Sequence, residues 1–171
     1  MPTPQFRPFT PEHADRVASW PLSAAEAVHW CGATEYPVPA RTILDWQPDT
    51  DVASTLLITD GMPVGYGELW IDAEENEVEL ARIIVDPAAR GNGLGRALVQ
   101  HLLAEALEVG YTDVFLRVHP ENEAAERLYR TVGFVPVDPA LAREWNAEQP
   151  HEYTWLRYGE PAAASPDADK S

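Results

Sequence analysis

The residues best suited to chemistry lie in one short segment, residues 85–96, with the sequence VDPAARGNGLGR. Three glycines alternate there between Arg90 and Arg96. Glycines let a backbone approach a ligand closely, and the unpaired N–H groups at a helix start favour an anion such as phosphate. No Gly-Lys-Ser/Thr follows, and the glycines do not fit Gly-x-Gly-x-x-Gly, which excludes the two best-known phosphate loops. The segment alone indicates either an anion site or a tight strand-to-helix connection.

The sequence on both sides places this segment between a strand and a helix. Residues 78–85 are predicted to form a strand, in which Glu79 shares one face with apolar residues. Apolar residues after the segment recur at helical spacing, and Gly110 ends that helix. The helical face is predicted to hold Leu94, Ala97, Leu98, His101, Leu102 and Val109.

The remaining elements alternate without repeats. Asp60-Gly61 is a strong hairpin signal between strands 52–59 and 63–71, and Ser23-x-x-Glu26 is a capping box that begins a helix. We further predict strands at 4–10, 112–118, 134–137 and 153–158, helices at 11–19, 23–31 and 122–132, and a helical turn at 41–46. Residues 138–151 are predicted to form a loop. A helical crossover joins strands 78–85 and 112–118, so the predicted class is α/β of the α+β type, with a mixed, mostly antiparallel sheet of about six to seven strands and flanking helices.

Length and composition exclude several classes of protein. The 171 residues suit one domain, expected at 1–158, followed by a disordered tail at 159–171. No apolar run could cross a bilayer, and the first residues lack the pattern of a secretory signal, so a cytoplasmic location is expected. Cys31 is the single cysteine, and the histidines show no metal-binding spacing, so neither a disulfide nor a metal site is expected.

The charge of the chain is unevenly distributed. Its net charge is −16, but residues 78–135 contain six Arg and eight Asp plus Glu, a net of −2, which leaves −14 for the rest. An acidic surface opposes nucleic acid and anionic membranes and favours a cationic partner. The simpler interpretation is that the acidic surface maintains solubility.

The glycine segment is followed at regular distances by a second group of residues. Arg90-x-x-Gly93-x-Gly95 precedes Asn122, Ala125, Leu128-Tyr129 and Gly133-Phe134. Together these resemble the GNAT superfamily of acyl-CoA-dependent N-acyltransferases, closely over residues 78–135 and elsewhere only in the order of elements. The resemblance implies that the protein is an enzyme that uses acetyl-CoA and needs no metal.

The resemblance also implies a role for individual residues. Asn122 would contact acetyl-CoA, and Tyr129 would protonate the departing thiolate; both lie two turns apart on one helix face. Strands 80–85 and 113–118 would splay to admit the pantetheine arm. The residues expected to hold the pyrophosphate and this arm are Arg90, Gly91, Asn92, Gly93, Leu94, Gly95 and Arg96, and Ile83, Ile84 and Val85.

The general base is not fixed by the sequence. Acyl transfer needs a neutral amine, and Glu79 matches the position of the base in histone-type members of the superfamily. Glu68, on the preceding strand, and water are the other candidates. His119 could also accept a proton, although a histidine before Pro120 at a strand end is more often structural. Members that modify ribosomal proteins carry a glutamate where this chain has Arg117, so their mechanism is not expected here.

The acceptor is expected to bind between the first two helices and the segment before the last strand. Those stretches contain Trp20, Trp30, Trp145, Glu26, Asp138, Glu144, Glu148 and Glu152, and aromatic rings beside carboxylates suit a cation. For any one tryptophan, a place in the core is the simpler interpretation. We therefore expect N-acetylation of a small cationic amine such as an aminoglycoside, a polyamine or an amino-acid derivative. The alternatives are acetylation of a protein N-terminus or lysine, and an acyl-CoA-binding module without turnover. The oligomeric state stays open, with a homodimer as one option.

Overall fold

The computed structural model describes residues 3–159, and seven of its segments are strands. The strands are β1 (Gln5–Pro8), β2 (Val52–Thr59), β3 (Met62–Asp72), β4 (Glu77–Val85), β5 (Asp113–Val118), β6 (Phe134–Pro136) and β7 (Thr154–Tyr158). They form one sheet in the order β1-β2-β3-β4-β5-β7-β6. Only the β4–β5 pair is parallel. The predicted class, strand number and crossover are therefore confirmed; the expected tail lies almost entirely outside the described residues.

Local signals fix where the helices begin and end. Ser23 Oγ accepts a hydrogen bond from the N–H of Glu26 at 3.1 Å, and Gly32, with φ of +69°, ends the same helix. None of the helices in residues 3–159 is both long and apolar enough to cross a membrane. The α-helices are α1 (Ala14–Ala18), α2 (Ala24–Cys31), α3 (Ala40–Trp46), α4 (Leu94–Val109), α5 (Glu123–Val132) and α6 (Pro139–Asn146), with 3-10 turns at Pro11–His13 and Pro87–Ala89.

The helices cover both faces of the sheet. Leu98 and Leu102 of α4 pack on Leu57, Val114 and Leu116. On the other face, α1, α2 and α3 bury a second cluster that includes Trp20, Trp30, Ile43, Tyr66 and Ile84. Neighbouring residues of one strand, such as Leu56 and Leu57, therefore point into different cores, as the pleat of a strand requires.

Two features of β4 open the sheet in its middle. β4 pairs with β5 only from Glu77↔Asp113 to Glu79↔Phe115. Further along, the β3–β4 register shifts opposite Gly67, and Arg82 has φ of +52°, a left-handed conformation that is rare for a residue with a side chain. The bulge bends β4, and the two parallel strands separate as the resemblance implied.

One prediction about the elements was wrong, and one predicted helix face is buried over only part of its length. Residues 139–146 form α6 rather than a loop, because Asp138 accepts the N–H of Ala140 at 2.9 Å and Pro139 supplies a favourable first turn. Val109 is 69% exposed although it shares the angular position of the buried Leu102. The last turn of α4 therefore extends beyond the strands on which the helix packs.

Candidate active site

A cavity of about 710 Å³ lies at the point where β4 and β5 separate. Its walls come from α2, β4, the segment between β4 and α4, the end of β5 and α5. Most of the predicted site residues line it; Asn92 and Glu79 do not. The predicted residues in the wall are Ile83, Ile84, Val85, Arg90, Gly91, Gly93, Leu94, Gly95, Arg96, Asn122 and Tyr129.

The glycine segment presents free backbone donors to this cavity. Gly91 and Gly93 have φ of +85° and +78°, and a Cβ on either would meet no atom within 4 Å. Glycine is therefore required there by the backbone and not by lack of space. Gly93 is the N-cap of α4 and has no side chain to cap it, so the first N–H groups of this 16-residue helix are available to an anion.

Gly95 has a different purpose from the other two glycines. A Cβ at this position would lie 3.3 Å from Cδ2 of Leu128 and 3.7 Å from Cγ2 of Val85. The missing side chain lets the start of α4 approach both α5 and β4. Gly95 therefore brings the uncapped start of α4 close to α5, the helix that carries Tyr129.

The two arginines of the segment have different surroundings. Arg90 donates through Nε to the carbonyl of Val85 at 2.9 Å and forms an ion pair with Glu26 of α2. Arg96 lines the cavity without an ion-pair partner among residues 3–159. Glu26 was expected near the acceptor, whereas the structure pairs it with Arg90 of the glycine segment, residues 85–96.

The bulge in β4 is held by contacts on both its carbonyl and its side chain. Nε1 of Trp30 donates to the carbonyl of Arg82 at 2.8 Å. The Arg82 guanidinium lies 3.9 Å from the ring centroid of Trp46 and 4.8 Å from that of Trp70. Its Nη1 donates to Glu68 at 3.0 Å. Trp30 thus belongs to the core and supports the cavity wall. Little of its ring is exposed for contact with an acceptor.

Both candidate carboxylate bases are buried and paired with arginine. Glu68 is fully buried and accepts hydrogen bonds from Tyr66, Trp70 and Arg82. Burial and the charge of Glu68 raise the pKa of Tyr66, so that phenol keeps its proton. Glu79 binds Nε and Nη2 of Arg117 at 2.7 and 3.0 Å. Burial lowers the pKa of Arg117, but the hydrogen bonds and charge of Glu79 outweigh it and raise the pKa.

Asn122 and Tyr129 both face the cavity from α5, as their spacing predicts. Asn122 caps the helix, since Oδ1 accepts the N–H of Ala125 at 3.3 Å, and Nδ2 has no partner among the described residues. The Tyr129 hydroxyl likewise makes no hydrogen bond within residues 3–159, and its ring packs edge-on against Phe134. Burial raises the pKa of Tyr129 to about 12, so the hydroxyl is a proton donor at neutral pH.

A group of histidines was missed by sequence reasoning. His29 of α2 and His119, which follows β5, line the cavity with ring centroids 4.3 Å apart, and His151 packs on His119 at 4.8 Å. Burial and the neighbouring His29 and His151 lower the pKa of His119. These residues are far apart in the chain, so no spacing rule could have grouped them.

Together, the helix start, the cavity and the tyrosine suit one class of ligand. A cavity that begins at an uncapped helix start with an unpaired arginine and ends at a protonated tyrosine suits an elongated, phosphorylated thioester such as an acyl-CoA. Residues 15–134 match the acetyltransferase (GNAT) family. The chain belongs to this family and is an N-acetyltransferase of the GNAT type.

Individual relatives agree with this assignment. An uncharacterized N-acetyltransferase of Mycobacterium tuberculosis is 37% identical over 152 residues, covering 84% of this chain and 96% of the relative. The PaiA N-acetyltransferase of Thermoplasma acidophilum, solved with coenzyme A, has a TM-score of 0.68 and 17% identity, covering 92% and 99% of the two chains. The aminoglycoside acetyltransferase AAC(6')-Ib, solved with paromomycin and acetyl-CoA, has a TM-score of 0.70 and 16% identity, covering 97% and 99%. At such identities the two structures show the fold alone.

The glycine geometry leads to a first prediction. Gly93→Val should abolish the thermal stabilisation that acetyl-CoA gives, because a β-branched residue is strained at positive φ and would crowd the anion site. Gly110→Val is the matched control, since Gly110 has φ of +100° and open space at the other end of α4. Both variants should unfold at a lower temperature, but only the control should still be stabilised by acetyl-CoA in a thermal-shift titration. Equal stabilisation of both would place the anion site elsewhere.

Proposed function

We propose that this protein transfers the acetyl group of acetyl-CoA to the amine of a small cationic molecule. One observation carries the proposal: the cavity joins the free helix start at Gly93 to the Tyr129 hydroxyl along the exposed edge of β4. The N–H groups of Leu94 to Arg96, with Arg90 and Arg96, would bind the pyrophosphate. Ile83, Ile84 and Val85 of β4 and Nδ2 of Asn122 would bind the pantetheine arm.

Tyr129 is proposed as the general acid. Acyl transfer from a thioester forms a bond from nitrogen to the acyl carbon and breaks the carbon–sulfur bond, which leaves a thiolate in the cavity. A phenol with a pKa of about 12 is a weaker acid than a free thiol, whose pKa is about 8.5. The same burial also raises the pKa of the thiol, which reduces the mismatch, and a hydrogen bond from Oη already stabilises the developing charge.

Water is proposed as the proton acceptor for the amine. Glu68 and Glu79 each form a buried ion pair with an arginine, so neither carboxylate is free to contact the amine. Glu79 is also absent from the cavity wall. An amine that arrives neutral loses its proton only after attack, when the nitrogen has become cationic and strongly acidic, so water is a sufficient base. We therefore assign to Glu79 and Glu68 the task of holding Arg117 and Arg82 in the wall.

A cationic acceptor is proposed from the charge distribution. Arg82 and Arg117 in the cavity wall are each neutralised by a buried carboxylate, so these two guanidiniums do not give their part of the wall a net charge that repels a cation. A second cavity of about 380 Å³ shares Arg82 with the first and is lined by Asp45, Asp49 and Asp51. Trp20, which is 2% exposed, belongs to the core and is not available to an acceptor. The likeness to an aminoglycoside acetyltransferase agrees with the proposal.

The role of Tyr129 gives a second prediction. Tyr129→Phe should lower kcat by about a hundredfold, the lower end of what a general acid contributes, with little change in the Kd for acetyl-CoA. Tyr158→Phe is the control, because Tyr158 also packs on Phe134 but lies outside the cavity wall. Thiol release measured with saturating amine, and acetyl-CoA titration, provide the two values. An unchanged kcat would leave Tyr129 as a packing residue, and lost acetyl-CoA binding would make it a binding residue.

The role of Glu79 gives a third prediction. Glu79→Gln should lower the free energy of unfolding by about 2 kcal/mol, because Arg117 loses its charged partner in a largely buried site. Glu126→Gln, which removes the partly exposed partner of the exposed Arg130, should cost less than about 0.5 kcal/mol. The acid limb of the pH–rate profile should follow the pKa of the amine used and stay in place in Glu79→Gln. A profile that loses this limb in the variant, with stability unchanged, would identify Glu79 as the base.

The charge of the acceptor gives a fourth prediction. At saturating acetyl-CoA, kcat/KM for polyamines and aminoglycosides should fall as salt rises from low to physiological, since exposed charges are screened over about 10 Å at 0.1 M. The matched control is a primary amine whose pKa lies below the pH of the assay. Because this amine is uncharged, its kcat/KM should show no such decrease. Saturating acetyl-CoA removes the separate salt sensitivity of the arginine-containing segment. Turnover only with neutral or acidic amines would contradict a cationic acceptor while leaving acetyl transfer intact.

A further inference from the structure

Three side chains in the cavity wall and beside it form a group that acetyl transfer does not use. His29 comes from α2, His119 follows β5, and Glu121 lies two residues further along the chain. One ligand atom from each lies within 4.8 Å of the other two, and Nε2 of His29 is 3.6 Å from Oε1 of Glu121. The group therefore brings two imidazoles and a carboxylate to one point.

This donor set and its spacing suit a divalent transition metal. The two imidazoles favour a transition metal such as zinc or nickel over magnesium and calcium, and zinc also accepts a carboxylate oxygen. A tetrahedral zinc ion with bonds of about 2.0–2.2 Å keeps its ligand atoms about 3.3–3.5 Å apart. The His29–Glu121 separation is already close to this value. The Glu121 side chain is 76% exposed and can move, whereas His119 is held between His29 and His151.

One contact opposes metal binding and limits its strength. The N–H of Glu121 donates to Nδ1 of His119 at 3.2 Å, so the neutral ring carries its own proton on Nε2. Coordination through Nε2 moves that proton to Nδ1 and breaks this long hydrogen bond. An open fourth position and a displaced hydrogen bond are typical of a reversible site, not of a structural zinc centre.

We propose that His29, His119 and Glu121 bind Zn²⁺ or a similar divalent transition metal ion reversibly, and that the bound ion inhibits acetyl transfer. The ion would link α2 to the segment between β5 and Asn122, across the wall of the cavity. This link fixes two walls against each other and places a positive ion at the cavity, where it would repel the cationic acceptor of the proposed function. The inhibitory half rests on the proposed function, whereas the metal site itself does not.

The test uses untagged, metal-free protein. Titration with Co²⁺, followed by its visible absorption, should show one ion per chain that Zn²⁺ displaces, and Zn²⁺ should raise Tm. His29→Gln, His119→Gln and Glu121→Gln should each weaken binding at least about tenfold, as the loss of one ligand does. His101→Gln is the matched control, because His101 forms a pair with Glu105 at the same 3.6 Å separation but without a second imidazole. It should retain both the absorption and the shift in Tm.

Two outcomes would overturn the metal site: no saturable binding by the folded wild type, or equal binding by the three variants and the wild type. Circular dichroism establishes that each variant is folded. For inhibition, thioester loss is followed directly by ultraviolet absorption, since released thiol also binds zinc. Zn²⁺ should lower turnover in the wild type and in His101→Gln, and a chelator should restore it. Unchanged turnover when the metal site is occupied would overturn the inhibitory half of the proposal. A protein without any turnover would refute the proposed function. In that case the cobalt titration would still show whether the metal site exists.

Discussion

The separation of β4 from β5 after Glu79 is the constraint on which the rest of the site depends. If β4 and β5 stayed paired to the ends of both strands, the sheet would be closed. The slot, which is the part of the cavity that lies beside Ile83 to Val85 between the two strands, would then not exist. The bulge at Arg82 bends β4 away, but a left-handed residue with a side chain costs about 1–2 kcal/mol. Trp30 on the carbonyl and Glu68 on the guanidinium offset this cost. The slot therefore exists because contacts from α2 and β3 meet at one residue of β4.

Burying two carboxylates at the slot is tolerable only because each has a complete set of partners. Glu68 has three donors, and Glu79 has two N–H groups of one guanidinium. An unpaired buried charge would cost several kcal/mol, whereas a paired one contributes little net stability and mainly fixes geometry. Arg82 and Arg117 are thereby held on the two separated strands, against the rings of Trp70 and Trp155. The same pairing that builds the walls supports the proposal that water, and neither of these carboxylates, accepts the proton of the amine.

Local signals in the sequence were sufficient for most of the fold. The capping box at Ser23, the Asp60-Gly61 hairpin and the periodicity of α4 each act over a few residues, and each was predicted correctly. The glycine segment, Asn122 and Tyr129 could be found because their spacing follows one strand–helix unit and the next helix. What the sequence did not show depends on contacts between distant residues. Trp30 meets Arg82 across 52 positions, Arg117 meets Glu79 across 38, and His29 meets His119 across the slot.

Helix α2 takes part in two of these distant contacts and in the Glu26–Arg90 pair, because His29 and Trp30 follow Glu26 by three and four residues and lie on the same side of the helix. Glu26 pairs with Arg90 of the glycine segment, His29 packs on His119, and Trp30 donates to Arg82 at the bulge. The Glu26–Arg90 pair is about one-third exposed, so its loss costs less than about 1 kcal/mol, whereas Trp30 is 8% exposed and part of the core. In the proposed function, a pyrophosphate that took Arg90 from Glu26 would therefore not release α2. Arg90 of the glycine segment could exchange Glu26 for another anion while Trp30 holds the bulge at Arg82, and with it the slot, in place.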